Sequence, residues 1–300
     1  MTHYQLVAAN KQKSVLIVAL FAAFITGATY LMSEAFGYGL DTIGIALVAS
    51  GFSSVVGYFW SDKIILTLSS ARPATRDEFF DFYTVAENLA HSQRLPVPKL
   101  YVIDDTAMNA FATGRDPQHA VICATTGILS RLSRPELEGV VAHELAHIKN
   151  YDILLMSIVT VLVGFVALLA DWMLRFSGFG RRDRDDREGN QLQLILFVAG
   201  LLMALLAPIA AQLIQLAISR RREFLADASS AAITKNPQGL IRALQKLDQD
   251  REPLEAANKA TAHLYISNPL KNLQGGVGMF AKLFATHPPI EDRVKALQSL

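Results

Sequence analysis

The sequence predicts a mainly α-helical integral membrane protein with about four transmembrane helices and a small α+β domain at the membrane surface. Three observations carry that expectation. The chain of 300 residues is 51% hydrophobic and only 18% charged, with a mean hydropathy of +0.28, too apolar for an ordinary water-soluble domain. Its apolar residues gather into four runs without Asp, Glu, Lys or Arg: Ser14 to Ser33, Thr42 to Ser61, Ile153 to Ala170 and Gln191 to Ser219. The segments between and after the runs mix helix and strand patterns with turn residues, as a folded polar domain does.

Each run has the length of a span, about 18 residues or more. Residues 1–62 therefore read as an N-terminal transmembrane hairpin. Lys11 and Lys13 precede the first run as they would in a secretory signal. The run is too long for one, shows no cleavage site, and is soon followed by a second span. Residues 153–219 read as a second hydrophobic hairpin, either two full spans with a kink at Pro208 or two helices that only dip into the bilayer. Lys63, Arg72 and Arg76 after the second run, Lys149 before the third and Arg220, Arg221 and Arg222 after the fourth place both termini and the polar segments in the cytoplasm. Arg175, Arg181, Arg182, Arg184 and Arg187 argue against that orientation for the second hairpin. The loop they occupy, Ser177 to Asn190, reads as solvated and mobile.

The polar segments are residues 63–152 and 220–300. In the first, Phe79, Phe82, Tyr83, Val85, Ala86 and Leu89 give helical spacing over Thr75 to Ser92. Lys99 to Ile103, Asn109 to Thr113 and Ala120 to Ala124 read as short strands, with a turn at Gly114-Arg115-Asp116-Pro117. Ser133-Arg134-Pro135-Glu136 has the form of a capping box, and Leu137, Val140, Val141, Leu145 and Ile148 continue a helix from it. In the second, Asn236-Pro237-Gln238-Gly239 breaks the chain before a helix over Leu240 to Leu247. A Gly-rich stretch, Gly275 to Gly278, suits a flap, and a C-terminal helix starts near Ile290.

The helix that begins at Ser133 carries Val140-Val141-Ala142-His143-Glu144-Leu145-Ala146-His147-Ile148-Lys149-Asn150-Tyr151-Asp152. His143 and His147 stand one turn apart on one face, so both imidazoles can reach one metal ion while Glu144 projects beside them. Neutral imidazole suits Zn2+, and a carboxylate beside the ion can take a proton from water whose pKa the metal has lowered to about 7. The chemistry implied is attack of water on a peptide carbonyl. A third ligand should come from a part of the chain that returns to the same membrane face. Directly after the fourth run stands Glu223, which would leave one tetrahedral position for water. Asp227, one helical turn on, is placed to accept a hydrogen bond from the far nitrogen of a ligating histidine.

These features, together with Asn109-Ala110-Phe111-Ala112-Thr113-Gly114 and with Thr286-His287-Pro288-Pro289 followed by Arg293, resemble the HtpX-type membrane zinc proteases, relatives of the CAAX prenyl proteases and gluzincins in ligand set. The resemblance covers nearly the whole chain. It implies a zincin-like catalytic domain holding one Zn2+ on His143, His147 and Glu223, with Glu144 as general base and Asp227 supporting a ligand. It further implies a bacterial inner-membrane protease whose site faces the cytoplasm and whose substrates are damaged or misfolded membrane proteins, often under stress. Asn109 and Ala110 occupy the place where such proteases bind substrate backbone; alternatively Asn109 shapes a turn. His287 and Arg293 are candidates to stabilise the developing oxyanion, or His-Pro-Pro only starts the last helix.

The net charge of +1 and the lack of basic tracts interleaved with aromatics exclude a nucleic-acid footprint. Lone Cys123 cannot form an internal disulfide and reads as a small buried hydrophobe. His3, His91, His119 and His263 read as surface residues. Two rivals stay in view: a CAAX-type processing protease, which should have more spans, and a non-catalytic membrane scaffold or transporter, which should carry polar residues inside its spans.

Overall fold

In the computed structural model, residues 3–36, 41–176, 220–256, 261–267 and 288–300 are described, with residues 198 and 269. The Ser177–Asn190 loop, most of the Gln191–Ser219 run, the Gly275–Gly278 stretch and His287 lie outside the described residues.

Two long helices open the chain, α1 (His3–Phe36) and α2 (Asp41–Leu68). Then follow β1 (Arg72–Pro73), α3 (Phe80–Ser92), β2 (Lys99–Ile103), β3 (Ala110–Thr113), β4 (Val121–Thr125), α4 (Thr126–Arg131), α5 (Arg134–Lys149) and α6 (Asp152–Phe176). After the undescribed stretch come α7 (Arg220–Thr234), α8 (Pro237–Gln249) and the C-terminal α9 (Ile290–Gln298). The described residues are thus mostly helical around one small mixed sheet. The third helix starts five residues later than its spacing suggests. Arg72 pairs with Val102 of β2, and its guanidinium meets Glu78 at 2.6 Å and Asp104 at 2.7 Å, which holds the intervening chain in a turn.

The sheet has the order β1-β2-β4-β3, with β2 and β4 parallel and the outer pairs antiparallel. Its register sets Tyr101, Cys123 and Phe111 in one row. Strand alternation sends that row to one face and Leu100, Val102, Ile122, Ala124, Ala110 and Ala112 to the other. The second face packs on α3, α5 and α8 through Phe82, Leu145, Ile148 and Leu244. The first packs on α1 and α6 through Ile17, Phe21, Leu155 and Ile158. Cys123 is fully buried there, and burial pushes its thiol well above the ordinary range, so it packs as a hydrophobe.

Residues Ile153 to Ile158 of α6 are buried inside the protein, so the first part of the third apolar run faces protein and not lipid. Ser157 and Thr160, polar residues within that run, reach out of the helix. The Ser157 hydroxyl meets that of Thr113 at 2.8 Å, and the Thr160 hydroxyl lies 2.9 Å from Nε2 of His263. His263 is therefore wholly buried, which corrects its expected surface placement: the chain after α8 folds back over α6 and carries the ring inward. Among the described residues no single helix is long and apolar enough to cross a membrane. Arg134–Lys149 and Asp152–Leu162 pass that test only together, as a pair bent by 82°.

Candidate metal centre

The site is built on α5. Its first turn is fixed by the capping box, in which Ser133 N–H donates to Glu136 Oε2 at 2.7 Å, and Lys246 of α8 meets the same oxygen at 2.7 Å. Gly139 lets α8 approach so closely that a Cβ there would lie 2.6 Å from the backbone N of Leu240. On the neighbouring side the Ser230 hydroxyl donates to Gly139 O at 2.7 Å, which locks α7 along α5. With both neighbours fixed, one face of α5 is pressed against the face of α7 that carries Glu223, Asp227 and Ser230, all three buried.

That pressing brings His143, His147 and Glu223 together, with ligand atoms all within 4.8 Å of one another. Nε2 of His143 lies 3.2 Å from Nε2 of His147 and 3.7 Å from Glu223 Oε2, and Nε2 of His147 lies 3.5 Å from Glu223 Oε1. The three side chains are 1%, 5% and 0% exposed. Tetrahedral ligation with bonds of about 2.0–2.1 Å separates donors by roughly 3.3 Å. The spacing and the nitrogen and oxygen donors therefore fit a small borderline cation such as Zn2+. Glu144, 2% exposed, follows His143 on the same helix.

Each imidazole is held from behind by a carboxylate. Nδ1 of His143 lies 2.9 Å from Asp227 Oδ1, and Nδ1 of His147 lies 3.0 Å from Asp152 Oδ2. Such contacts select the tautomer that presents Nε2 to a metal. Asp227 is gripped by Arg293, whose Nε and Nη2 donate to its two oxygens at 2.8 and 2.7 Å. Burial alone would raise the Asp227 carboxyl; the Arg293 charge and the hydrogen bonds from Arg293 and His143 outweigh it and hold the group at about 2. Burial likewise disfavours the His147 imidazolium, but the Asp152 hydrogen bond and the charges of Glu223, Asp152 and Glu144 raise the ring to about 9. Arg293 pairs with Glu223 and Asp227, Arg222 pairs with Asp152, and Lys13 also feels the Asp152 charge; among the described residues the four carboxylates Glu144, Glu223, Asp152 and Asp227 still outnumber these cations, an excess that a dication would neutralise.

The family model for "Peptidase family M48" matches residues 79–300. This chain belongs to peptidase family M48. It is a metallopeptidase of the HtpX type. A "Protease HtpX homolog" of Caldanaerobacter subterraneus subsp. tengcongensis is 42% identical over 301 residues, covering 100% of this chain and 98% of that protein. A "Protease HtpX homolog" of Streptococcus uberis is 39% identical over 303 residues, covering 99% of each. The "Crystal Structure of S. mikatae Ste24p" is a looser likeness, with a TM-score of 0.48 and 21% identity over 98% of this chain and 66% of that one.

Within this M48 peptidase, the residues singled out in the sequence fall as follows. His143, His147, Glu223, Glu144 and Asp227 meet in one buried cluster. Arg293, a candidate to stabilise the developing oxyanion, is 0% exposed, bound to Asp227, donating to Ile266 O at 3.0 Å and with its Nη1 3.9 Å from Glu223 Oε2. Its two-pronged grip is on the carboxylate that meets Nδ1 of His143. Asn109 and Ala110 lie where β3 forms the sheet edge, and that edge is already engaged. The Asn109 amide donates to Ser267 O at 2.9 Å and accepts from Ser267 N–H at 3.3 Å, while Ala110 O accepts from Ile266 N–H at 2.9 Å. Asp152 and Arg222 received no role in the site from the sequence. Asp152 stands inside the quoted motif, and its position after Tyr151 was the available signal: Tyr151 adopts a left-handed φ of 60°, which turns the chain back so that Asp152 faces the helix it has just left.

Proposed function

We propose that this metallopeptidase is a membrane-bound zinc endopeptidase that cleaves damaged or misfolded membrane proteins at the cytoplasmic face of a bacterial inner membrane. The observation that carries the reading is the convergence of His143, His147 and Glu223 beside Glu144. Zinc, when bound by those three side chains, supplies a Lewis acid and water of lowered pKa, about 7. Glu144 takes the proton of the attacking water and delivers it to the leaving amine. Asp227 and Asp152 fix the two imidazoles, and Arg293 fixes Asp227, so that the face left open between the ligands keeps its shape through the reaction. In this reading Asn109 and Ala110 remain the groups to receive substrate backbone, which requires a substrate strand to lie beside or displace Ile266 and Ser267.

Membrane association is supported by the inverted surface of α1 and α2. Val15, Leu16, Val48, Phe52 and Val55 are 51–73% exposed, while Ser14, Ser50, Ser53 and Ser61 point inward. Large apolar groups outside and small polar groups inside suit lipid, with Tyr58 and Trp60 near the Ser61 end of the second apolar run. Residues 1–62 then form the membrane hairpin, 63–152 and 220–300 the catalytic domain, and 153–219 a second hydrophobic hairpin whose first turns pack on the sheet. The deciding experiment measures metal content and cleavage of a denatured membrane protein for wild type, Glu223→Ala and Glu144→Ala. Wild type should hold one zinc and cleave. Glu223→Ala should lose zinc, and Glu144→Ala should keep it yet lose activity by at least about a hundredfold. Unchanged zinc in Glu223→Ala, or full activity in Glu144→Ala, would remove the reading.

A further inference from the structure

Asp152 is more than a local support for His147. Its Oδ2 accepts from His147 Nδ1, and its Oδ1 accepts from two donors on distant elements, Asn10 Nδ2 at 2.7 Å and Arg222 Nη1 at 3.2 Å. Arg222 stands beside Glu223 on α7. Asn10 comes from α1, an element that lies wholly outside the residues matched by the family model. Its carboxamide is 2% exposed and also donates to Asn150 O at 2.8 Å, so it grips both ends of the sharp turn that joins α5 to α6. Next to it Lys11 Nζ lies 4.5 Å from the centre of the Tyr151 ring, on the one residue of that turn with a left-handed backbone.

We infer, resting on the metal reading above, that Asn10 is a positioning residue of the metal centre, and that the N-terminal helix is thereby a working part of the active site as well as an anchor. A carboxylate that orients a metal-bound histidine must itself be held, and a buried carboxylate oxygen left without a donor is costly. Asn10 supplies a neutral donor where Arg222 alone would leave Asp152 free to swing toward the guanidinium and away from His147. The link runs from α1 through Asp152 to His147 without passing through the sheet. The hydrogen bond from Asn10 therefore couples α1 to one ligand, while His143, held by Asp227 and Arg293, is untouched.

The test uses the full-length protein in detergent micelles, with Zn2+ affinity measured by chelator competition and the ligand geometry by the absorption bands of Co2+ bound in its place. Asn10→Ala should weaken Zn2+ about tenfold, shift the Co2+ bands, and lower kcat with KM nearly unchanged. Asn10→Gln, which keeps the carboxamide, should recover part of both losses. Phe21→Ala removes an apolar contact of the same helix pair, where Phe21 meets Phe165 with ring centres 6.3 Å apart. It should lower the melting temperature and leave Zn2+ affinity at the wild-type value. A folded Asn10→Ala protein with wild-type affinity and Co2+ spectrum overturns the inference, as does an equal loss of affinity in Phe21→Ala. If Asn10→Ala does not fold, the near-isosteric Asn10→Asp carries the same comparison with a larger expected loss. Wild-type protein that binds no Zn2+ would instead defeat the metal reading itself, a result distinguishable from the others.

Discussion

Four buried carboxylates, Glu144, Asp152, Glu223 and Asp227, crowd the space where α5, α6 and α7 meet, and a buried cationic partner favours the ionised form of such a group. Asp227 shows how strongly. Its folded value of about 2 lies below the ordinary 3.8, so its ionised form contributes stability that is fully present above about pH 4 and is lost as pH falls through about 2. The shift corresponds to about 2 kcal/mol. Acid titration of unfolding should therefore show wild type losing more stability than Asp227→Asn between pH 4 and pH 2; parallel curves would contradict the Arg293 brace. The metal-free enzyme should also show His147 charged up to about pH 9, because carboxylates surround it. His143, Glu144 and His147 were legible because a helical repeat fixes their mutual geometry in five residues. Asp152 was less legible: it stands inside the motif, but its contact with His147 depends on the backbone reversal at Tyr151.

The elements that matter most are those whose contact distance leaves no room. α5 and α8 touch backbone to backbone at Gly139, where an added Cβ would sit 2.8 Å from Leu240 Cα. Gly139→Ala should destabilise the protein by about 1–3 kcal/mol and tilt α5 relative to α7, loosening metal binding with it. Gly57→Ala, whose Cβ would meet Val161 Cγ1 at an ordinary 3.4 Å, serves as the control. Thermal unfolding and Zn2+ titration of the pair decide the point, and equal melting temperatures would sink it. The capping box at Ser133 and the short strand Lys99–Ile103 were readable from local rules, because both depend only on near neighbours in sequence. The pairing of the two-residue β1 with β2 was not. Two residues carry no period, and the pairing is held by the contacts of Arg72 with Glu78 and Asp104.

At the scale of the whole molecule, one sheet lies between two apolar layers, and the layer built from α1 and α6 continues outward into an exposed apolar surface. A protein with that surface should stay with the membrane fraction under alkaline carbonate washing and require detergent for release; recovery in the wash would refute the membrane reading. Chelation of the detergent-solubilised protein should abolish proteolysis, and added zinc should restore it, if the fold persists without metal as the two apolar cores suggest. Irreversible loss would mean that the cation also holds α7 to α5.

The amino-acid order alone determined the apolar runs, the helix carrying His143, Glu144 and His147, and the carboxylate pair that follows the fourth run, since each is a matter of composition or of periodicity along one element. It also carried the likeness to a protease family, because that likeness is itself a pattern of residues. Only the tertiary structure decided that Arg293 braces Asp227, that Ile266 and Ser267 occupy the sheet edge, that His263 is interior, and that Asn10 reaches Asp152. Each of those joins residues far apart in the chain by direct contact. Their partners are selected by packing in three dimensions, which local periodicity does not encode.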